Sequence, residues 1–371
     1  MKFQCDRQTL SDILNNVSRG VSAKSNVPVL EGLLLTLKNG ILTVTAYDLE
    51  LGIRASFPVR MESEGEIILP GRLFTEMVRR FEGETVLFEA DEKFTVNIRC
   101  GDSLFDVIGM DANDYPQLPE ISDYQTFAID KATFSSMVRQ TLFAVAKDES
   151  RPVHKGSKIT LGNGEIEIAS VDGYRLALRR EKMDSEGDAS FIVPGKTLAE
   201  VQKLIAGDDE GQIGISLARK YIVFSVDGYT FISRLLEGEF LNYKETISFE
   251  GKVTVQVNAR KVIDCLERAG LLIRSNVKSY IICKIEEDAI SFHCRTALGK
   301  FYDRIPAAVT GEGLSIGFDI SYLLDALRNS ETDELRFEIV GPLSPMKIVP
   351  VKGDSFLFIV TPVRIKGEFS V

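Results

Sequence analysis

The stretch FQCDRQTLSDILNNV, residues 3–17, decides the fold, because related stretches occur twice more in the chain. FAIDKATFSSMVRQTLFAV occupies residues 127–145, and VQVNARKVIDCLERAGLLI occupies residues 255–273. Each begins with a short strand-like run, continues with an Asp or Asn and a basic residue, and ends with apolar residues at helical spacing. The chain therefore contains a threefold internal repeat, and this repeat governs the assignment of its elements.

The Asp or Asn of each stretch predicts the start of a helix. Asp6, Asp130 and Asn258 are 124 and 128 residues apart, and each can accept a hydrogen bond from an exposed backbone N–H of the first helical turn. Behind each cap, apolar residues at helical intervals give the helix one face for a core and one for solvent. These residues are Leu10, Ile13, Leu14 and Val17, then Phe134, Met137, Val138 and Leu142, and finally Val262, Ile263, Leu266 and Ala269.

A second motif recurs midway through each repeat. IILPGRLFTEMV contains Pro70, FIVPGKTLAEVQ contains Pro194, and IGFDISYLLDAL contains Asp319 at the matching place. The spacings are 124 and 125 residues, and an apolar strand leads each time into a helix with Pro or Asp near its start. Two motifs per repeat predict three similar domains with two helices each. The predicted domains are residues 1–122, 126–248 and 251–371.

Alternating apolar and polar residues fill the intervals between the predicted helices, as is typical of antiparallel strands with one buried face. Clear examples are ILTVTAYDLELGIRASF, EIEIASVDGYRLALRR and YIVFSVDGYTFISRLL. Turn signals stand between strands at residues 39–40, 163–164 and 227–228, which read Asn-Gly, Asn-Gly and Asp-Gly. Few helices among many strands, without a Gly-rich phosphate loop, indicate the α+β class.

The composition limits the class of protein. The chain has 371 residues, enough for two or three domains. A mean hydropathy of +0.02 with 26% charged residues is typical of a globular protein in water. No run of about 18 apolar residues predicts a membrane helix, and the N-terminal MKFQCDRQTL lacks the apolar segment of a secretory signal. We therefore expect a cytoplasmic protein without a membrane partner.

The net charge of −10 argues against a protein that binds nucleic acid over its whole outer surface. It is compatible with a protein that concentrates Lys and Arg on a single internal surface. Total charge alone does not separate these two cases.

The reactive residues form no catalytic or metal-binding pattern. Five scattered cysteines without a C-x-x-C pair suggest neither a disulfide framework nor a zinc ribbon, and buried thiols are expected. Of the two histidines, His154 lies in a loop, and the alternation of His293 with Ser291 and Arg295 predicts that it faces solvent. Neither has a second His at ligand spacing. We expect no enzyme, metal or cofactor, although a carboxylate-dependent hydrolase or metal-dependent nuclease stays open because distant acidic residues can converge.

Five segments resemble the bacterial DNA polymerase III β subunits, the β sliding clamps, across essentially the whole chain. VDGYRLA at residues 171–177 resembles the family's TDGHRLA, and EGEFLNY at residues 237–243 resembles its DGRFPDY. Residues 26–35, 317–322 and 361–365 resemble three further family segments. Five such segments in the family's order, on a threefold repeat, make the resemblance specific. The resemblance implies a processivity factor of DNA replication that encircles duplex DNA and tethers a polymerase without doing chemistry itself.

The family's DNA-clamp fold implies three similarly built domains per protomer, with two protomers closing head to tail into a ring. Six helices per chain would then line the hole, and closure would remove open sheet edges at the two junctions. The implied dimer contact pairs Phe105 and Val107 of the first domain with Leu271 and Leu272 of the third, a small apolar interface.

A ring holds DNA by topology, so its lining should tolerate phosphates but make few tight contacts, because non-specific affinity grows with each neutralised phosphate. An ordinary surface charge is the alternative for each candidate. The candidate DNA-facing residues are Lys24, Arg72, Arg79, Arg80, Arg139, Lys147, Arg151 and Lys196.

By resemblance, partners bind through a short, partly hydrophobic peptide in a pocket between the second and third domains. The implied partners are the DNA polymerase III catalytic subunit, the clamp loader, and other proteins with a clamp-binding motif, such as repair polymerases, mismatch repair proteins and ligase. Strand core is the alternative for Leu176, Val363 and Ile365. The implied pocket residues are His154, Val171, Gly173, Tyr174, Arg175, Leu176, Leu241, Asp319, Tyr322, Ile359, Pro362, Val363, Arg364 and Ile365.

Departures from the family pattern bear on this pocket. His154 stands where the family often has an apolar residue, and Thr361 replaces a Met. Glu245 stands where relatives can have a basic residue, and residues 366–371 extend past the usual ending. One pocket wall is therefore expected to be more polar. A specialised second clamp, or a peptide-binding scaffold that does not encircle DNA, stays open as the alternative.

Overall fold

The computed structural model of the chain describes residues 1–119, 121, 125–148, 151–183, 187–207, 210–273 and 280–365. The chain forms two compact units. The first consists of residues 1–132 and 199–235, and the second consists of residues 133–198 and 236–371. The central third of the sequence therefore contributes to both units. The domain boundaries expected from the repeat stay a prediction.

Six long helices begin where the two repeated motifs predict them. Together with one short helix they are α1 (Arg7–Val17), α2 (Gly71–Arg80), α3 (Lys131–Leu142), α4 (Gly195–Ile205), the short α5 (Lys244–Ile247), α6 (Ala259–Gly270) and α7 (Ile320–Arg328). Of the twelve apolar residues predicted to face a core, all but the partly exposed Leu142 are buried.

Side-chain caps start three of these helices as predicted. The Asp6 carboxylate accepts a hydrogen bond from the Thr9 N–H at 2.7 Å. The side-chain oxygen of Asn258 accepts a hydrogen bond from the Lys261 N–H at 3.1 Å. Asp319 caps α7 by accepting from Ser321. Asp130, Pro70 and Pro194 directly precede α3, α2 and α4.

The strands are short and numerous, as the alternating pattern predicts. The first thirteen are β1 (Lys2–Asp6), β2 (Gly32–Lys38), β3 (Ile41–Tyr47), β4 (Leu51–Pro58), β5 (Arg60–Ser63), β6 (Gly65–Pro70), β7 (Thr85–Ala90), β8 (Thr95–Cys100), β9 (Ser103–Ile108), β10 (Gln125–Asp130), β11 (Gly156–Gly162), β12 (Glu165–Val171) and β13 (Arg175–Lys182). The others are β14 (Ala189–Pro194), β15 (Gln212–Leu217), β16 (Tyr221–Val226), β17 (Tyr229–Arg234), β18 (Val253–Asn258), β19 (Ile281–Ile285), β20 (Ala289–Thr296), β21 (Gly299–Pro306), β22 (Ala308–Thr310), β23 (Ser315–Phe318), β24 (Glu334–Ile339), β25 (Met346–Pro350) and β26 (Phe356–Val360).

Each unit contains two sheets. In the first unit the strand orders are β5-β1-β7-β8-β9 and β10-β15-β16-β17-β4-β3-β2-β6. In the second unit they are β14-β11-β12-β13-β26-β25-β24-β18-β22 and β21-β20-β19-β23. The larger sheet of each unit is continuous through one antiparallel ladder between neighbouring repeats. Residues 51–55 pair with residues 229–233 in the first unit, and residues 175–179 pair with residues 356–360 in the second.

The predicted turns have the backbone that tight hairpins require. Asn39 and Gly40 have φ of 52° and 76°, and Asp227 and Gly228 have φ of 50° and 80°. Two consecutive positive φ angles match the twist of the flanking strands, and Asn, Asp and Gly reach them at the lowest cost. The signals at residues 163–164 mark a turn of the same kind.

The five cysteines are all free and buried, as expected. Cys265 of α6 and Cys283 of β19 belong to the core of the second unit. Burial also raises the pKa of the Cys265 thiol to about 12. Among the described residues, none of the helices has the length and apolar character to span a membrane.

The prediction that His293 faces solvent is wrong. Its side chain is half-buried, and its Nε2 lies 3.1 Å from the hydroxyl of Ser291, which is fully buried. The Tyr302 ring meets the imidazole edge to face at 4.8 Å from the paired strand β21. Alternation assigned the correct face of the strand, but the aromatic neighbour that covers this face comes from another strand.

Removal of the Asn258 cap should weaken the start of α6. We expect Asn258→Ala to destabilise this helix by about 1 kcal/mol, because the Lys261 N–H loses its acceptor. Hydrogen exchange of the α6 amides would measure the change. Asn258→Ser, which keeps an acceptor oxygen, is the matched control. Equal protection of α6 in wild type and Asn258→Ala would contradict the capping role.

Candidate binding surfaces

A tight turn at residues 172–175 forms the centre of the predicted pocket. The Asp172 carboxylate accepts hydrogen bonds from the backbone N–H groups of Tyr174 and Arg175, both at 2.9 Å. Gly173 completes the turn with a φ of +93°, a conformation that favours glycine. The turn presents Tyr174 to solvent, with 59% of its surface exposed.

Arg175 fixes the turn to α7. Its side chain is 5% exposed, and its guanidinium donates to Asp172 at 2.9 Å through Nε and pairs with Asp325 through Nη1. It also lies 4.8 Å from the ring centre of Tyr322. Tyr322 stacks on Tyr174 with 5.7 Å between ring centres. A buried guanidinium with two carboxylates and an aromatic face makes a rigid wall for a ligand.

The segment of residues 361–365 packs beside this wall. The Thr361 N–H and hydroxyl both donate to the Tyr174 carbonyl, at 2.9 and 2.8 Å. The Val363 N–H donates to the Gly317 carbonyl at 2.8 Å. A side chain at Gly317 would lie 3.1 Å from Ile365, so glycine allows the close approach. Val363 and Ile365 are half-buried, and therefore combine core packing with partial exposure.

Three predicted pocket residues belong to the apolar interior. Val171, Leu176 and Ile359 are at most 3% exposed and share one core cluster with Phe240. Val171 pairs with Leu176, which also pairs with Ile359 on β26. The burial of Leu176 agrees with the alternative that this residue is part of the strand core. These residues form the support beneath the exposed Tyr174 rather than an open surface.

His154 and Leu241 lie at a second, shallow depression. It has a volume of about 540 Å³ and is lined by residues 151–154 and 239–242. His154 is 4% exposed and meets the Phe240 ring edge to face at 5.5 Å, whereas Leu241 is 37% exposed. Burial, followed by the nearby Arg151, lowers the pKa of His154. His154 therefore lines this depression as a largely covered side chain whose environment favours the neutral imidazole.

The predicted pocket residues thus fall into two groups joined by residues 171–176. Tyr174, Arg175, Tyr322 and the segment 361–365 form one group, and His154, Leu241 and their apolar support form the other. Asp319 caps α7, and Arg364 is exposed. Sequence reasoning missed Phe240 and the two carboxylates of Asp172 and Asp325. The Asp-Gly signal at residues 172–173 could have identified the first carboxylate, whereas the second comes from a distant helix.

The predicted DNA-facing cations are all exposed. Arg72, Arg79 and Arg80 lie on α2, Arg139 on α3 and Lys196 on α4, and Lys24, Lys147 and Arg151 lie in loops. Three of these arginines already have carboxylate partners, since Arg79 and Arg80 contact Glu76 and Arg139 contacts Glu331. Sequence reasoning missed the exposed Arg260, Lys261, Arg268 and Arg328 on α6 and α7, which alignment of the repeated motifs could have identified.

The predicted dimer residues lie at two exposed places, each at the end of a small sheet. Strand β9 is an edge strand of the first unit and exposes Leu104, Phe105 and Ile108 by 50%, 42% and 69%. Phe105 meets Phe81 edge to face at 5.8 Å, and Val107 is half-buried.

The other exposed place is the end of α6 in the second unit. Leu271 is 78% exposed there, whereas Leu272 packs partly on the core. Arg268 on α6 pairs with Asp303 of β21, the edge strand of the four-stranded sheet. Leu298 and Tyr302 add apolar surface beside this edge.

A larger cleft lies elsewhere in the first unit. It measures about 990 Å³ and is lined by strands β2, β3, β4 and β17 and by residues between 112 and 121. Four threonines line it, Thr36, Thr43, Thr45 and Thr230. None of the predicted site residues lines it, so volume alone does not locate the predicted pocket.

Three family models match consecutive parts of the chain. The model described as DNA polymerase III beta subunit, N-terminal domain, matches residues 1–119. The models of the central and C-terminal domains of the same subunit match residues 128–242 and 246–364.

Known relatives match over the same length. The chain is 30% identical over 378 residues to a beta sliding clamp of Bacillus subtilis, covering 98% of this chain and 100% of that one. It is 28% identical over 375 residues to a beta sliding clamp of Staphylococcus epidermidis, covering 98% and 99%.

Solved structures match the fold closely. A DNA polymerase sliding clamp from Bacillus subtilis superposes with a TM-score of 0.95 at 28% identity, covering 99% of this chain and 100% of that one. A DNA polymerase III beta subunit from Thermotoga maritima gives a TM-score of 0.92 at 26% identity, covering 98% and 100%. The prediction of an α+β fold with three similar domains is confirmed.

The burial of His154 should make stability depend on pH in a defined direction. Its pKa lies below the ordinary 6.5 in the folded chain, so the unfolded chain takes up a proton first as the pH falls. The stability is fully present above about pH 6.5 and is lost as the pH falls through the lower, folded pKa. Urea unfolding at pH 7.5 and 5.5 would measure the loss.

We expect His154→Leu to show a smaller loss over this interval than wild type. His293, whose pKa burial also lowers, stays in place and contributes the same loss to both proteins. A His154→Leu protein that keeps the whole wild-type loss would show that His154 does not carry it.

Proposed function

The chain belongs to the DNA polymerase III β-subunit family of sliding clamps, and we propose that it works as a homodimeric ring around duplex DNA. As a member of this family it is a processivity factor of DNA replication and not an enzyme. Beyond this family role, we propose a closed ring, a duplex inside it and the residues that meet each partner.

The separation of charge within the chain carries this proposal. Helices α2 and α3 each have a net charge of +2, α4 and α6 each have +1, and α1 and α7 are neutral. Lys131 of α3 is buried and paired with Asp227, so Arg139 is the exposed cation of that helix. The whole chain has a net charge of −10, so the rest of it is strongly acidic. A basic set of helices in an acidic protein is what a hole that holds DNA requires, since phosphates approach one surface and are repelled by the others.

The open sheet edges support closure into a ring. Strand β9 exposes apolar side chains along an unpaired edge, which a soluble protein normally covers. We assign the partner surface to the end of α6 and strand β21 of a second copy, where Leu271 is exposed. Phe105 and Val107 would then contact Leu271 and Leu272 head to tail.

The wall of Tyr174, Arg175 and Tyr322 supports a peptide-binding pocket. The exposed ring of Tyr174 and the partly exposed ring of Tyr322 offer apolar area that an anchor side chain of the peptide can cover. The fixed guanidinium of Arg175 can orient polar groups of the bound peptide. By this proposal the pocket serves the polymerase III catalytic subunit, the clamp loader and other proteins with a clamp-binding motif, in the bacterial cytoplasm. The scaffold alternative shares the pocket and lacks the DNA.

Loading on circular DNA tests the proposal directly. The protein is loaded on nicked plasmid with a cognate clamp loader and ATP, and the plasmid is then cut at one site. We expect retention on circles and loss from linear DNA, because only a topological link depends on the ends. Equal loss from both forms, with a loader proven active on a known clamp, would overturn the ring and favour the scaffold.

Charge reversal on the helices should abolish this retention. We expect loading to fail when Arg72, Arg79, Arg139 and Lys196 are changed to Glu, because phosphates would meet negative charge on three helices. A matched control changes four exposed lysines outside the helices, Lys182, Lys220, Lys252 and Lys352, to Glu. The control should load like wild type. Equal failure of both proteins would mean that total charge, not the helix surface, controls loading.

Replacement of Phe105 should open the ring. We expect Phe105→Asp to weaken the dimer at least tenfold, because burial of such an apolar side chain contributes about 1.5–3 kcal/mol. Sedimentation equilibrium measures the dissociation constant. Leu87→Asp, at a similarly exposed leucine of β7 in the same sheet, is the control and should leave the dimer intact. A dimer that tolerates Phe105→Asp would place the interface elsewhere.

A further inference from the structure

Carboxylates stand beside the arginines of the basic helices. On α2 the Glu76 carboxylate accepts a hydrogen bond from Arg79 at 2.6 Å and lies 3.4 Å from Arg80. One acidic side chain therefore faces two of the three arginines of this helix. The third, Arg72, makes no ion pair with the residues that the structure describes.

A second carboxylate reaches α3 from outside that helix. Glu331, which follows α7, accepts a hydrogen bond from the Arg139 guanidinium at 2.8 Å and another from the Ser136 hydroxyl. Its φ of +54° lies in the left-handed region, which side chains other than glycine seldom adopt. Both carboxylate oxygens of Glu331 accept hydrogen bonds, and its backbone conformation is one that the surrounding structure must hold in place. The position of this carboxylate is therefore fixed.

The same arrangement recurs on α4, α6 and α7. Lys203 on α4 pairs with Glu200 at 2.8 Å, and Arg260 on α6 pairs with Asp264 at 3.0 Å. Arg328 on α7 pairs with Glu267 of α6 at 2.8 Å and lowers the pKa of that carboxyl. Most of the cations on these helices are therefore already half of an ion pair before any phosphate approaches.

Fold stability does not account for these pairs, because exposed ion pairs contribute little to it. Their effect on an approaching phosphate is larger. The phosphate must displace the carboxylate from the guanidinium, or share it while the two anions repel each other. Since non-specific affinity depends on how many phosphates are neutralised at once, each pair lowers the number of effective contacts.

We propose that Glu76 and Glu331 keep the clamp mobile on DNA by holding Arg79, Arg80 and Arg139 in ion pairs that limit simultaneous phosphate contacts. The inference rests on the proposed function, because it requires the helices to face duplex DNA. The two carboxylates act through the arginines and are positioning residues.

The test removes the charge of each carboxylate without changing its shape. Glu76→Gln, Glu331→Gln and the double variant are compared with wild type for binding to duplex DNA between about 50 and 200 mM salt, where affinity depends steeply on the number of neutralised phosphates. We expect the slope of log affinity against log salt to steepen by about 0.9 for each additional phosphate that the helices neutralise. The variant clamps loaded on long DNA should diffuse more slowly than wild type, and the slowing should increase with the number of additional phosphates neutralised.

Matched controls remove one carboxylate away from the helices. Glu165→Gln on β12 and Glu250→Gln before β18 change the net charge by the same amount at exposed positions. We expect both to keep the wild-type slope and diffusion. If Glu76→Gln and Glu331→Gln behave like these controls, the inference is overturned.

The retention of wild type on circular DNA separates the two proposals. Wild type that is retained on circles, together with unchanged slopes for Glu76→Gln and Glu331→Gln, would overturn the role of the carboxylates and leave the ring standing. Wild type that is lost equally from circles and linear DNA would overturn the ring and, with it, this inference.

Discussion

The pairing of strands from neighbouring repeats is the constraint on which the rest of the structure depends. In the second unit, β13 pairs with β26 from Arg175 to Arg179, and the next hydrogen bond of this ladder runs from the Thr361 N–H to the Tyr174 carbonyl. The turn that presents Tyr174 and the segment that packs beside it are therefore positioned by backbone hydrogen bonds. Tyr174 and Arg175 of the proposed pocket are therefore carried by a backbone that the sheet positions.

The first unit contains the same construction with different side chains. Asp48 accepts hydrogen bonds from the N–H groups of Glu50 and Leu51, as Asp172 does from Tyr174 and Arg175, and the Arg234 N–H donates to the Glu50 carbonyl. Leu49, with a φ of +76°, stands where Gly173 stands in the second unit, and Leu51 stands in the place of Arg175. The repeat therefore extends to single hydrogen bonds, while the residues that would bind a ligand have diverged.

Periodicity predicted the helices, their caps and the turns, because these depend on residues close together in sequence. Asp6, Asn258 and the Asn-Gly pairs act on neighbours within a few positions. The environments of His154 and His293 could not be predicted in this way, since Phe240 and Tyr302 reach them from other strands. For the same reason the ion pairs of Asp325 and Glu331 could not be predicted, because their arginine partners are far away in sequence. The pocket residues followed from family resemblance and not from pattern, and their role stays a proposal.

The burial of all five thiols has a practical consequence for fluorescence work. A maleimide dye reacts with the thiolate of an accessible cysteine, and here burial both hides each sulfur and raises the pKa of its thiol. A single cysteine introduced on an exposed strand would therefore take up the dye ahead of the native ones. The protein could therefore be labelled without replacing its native cysteines, and the labelled molecule would keep the core packing of the wild type.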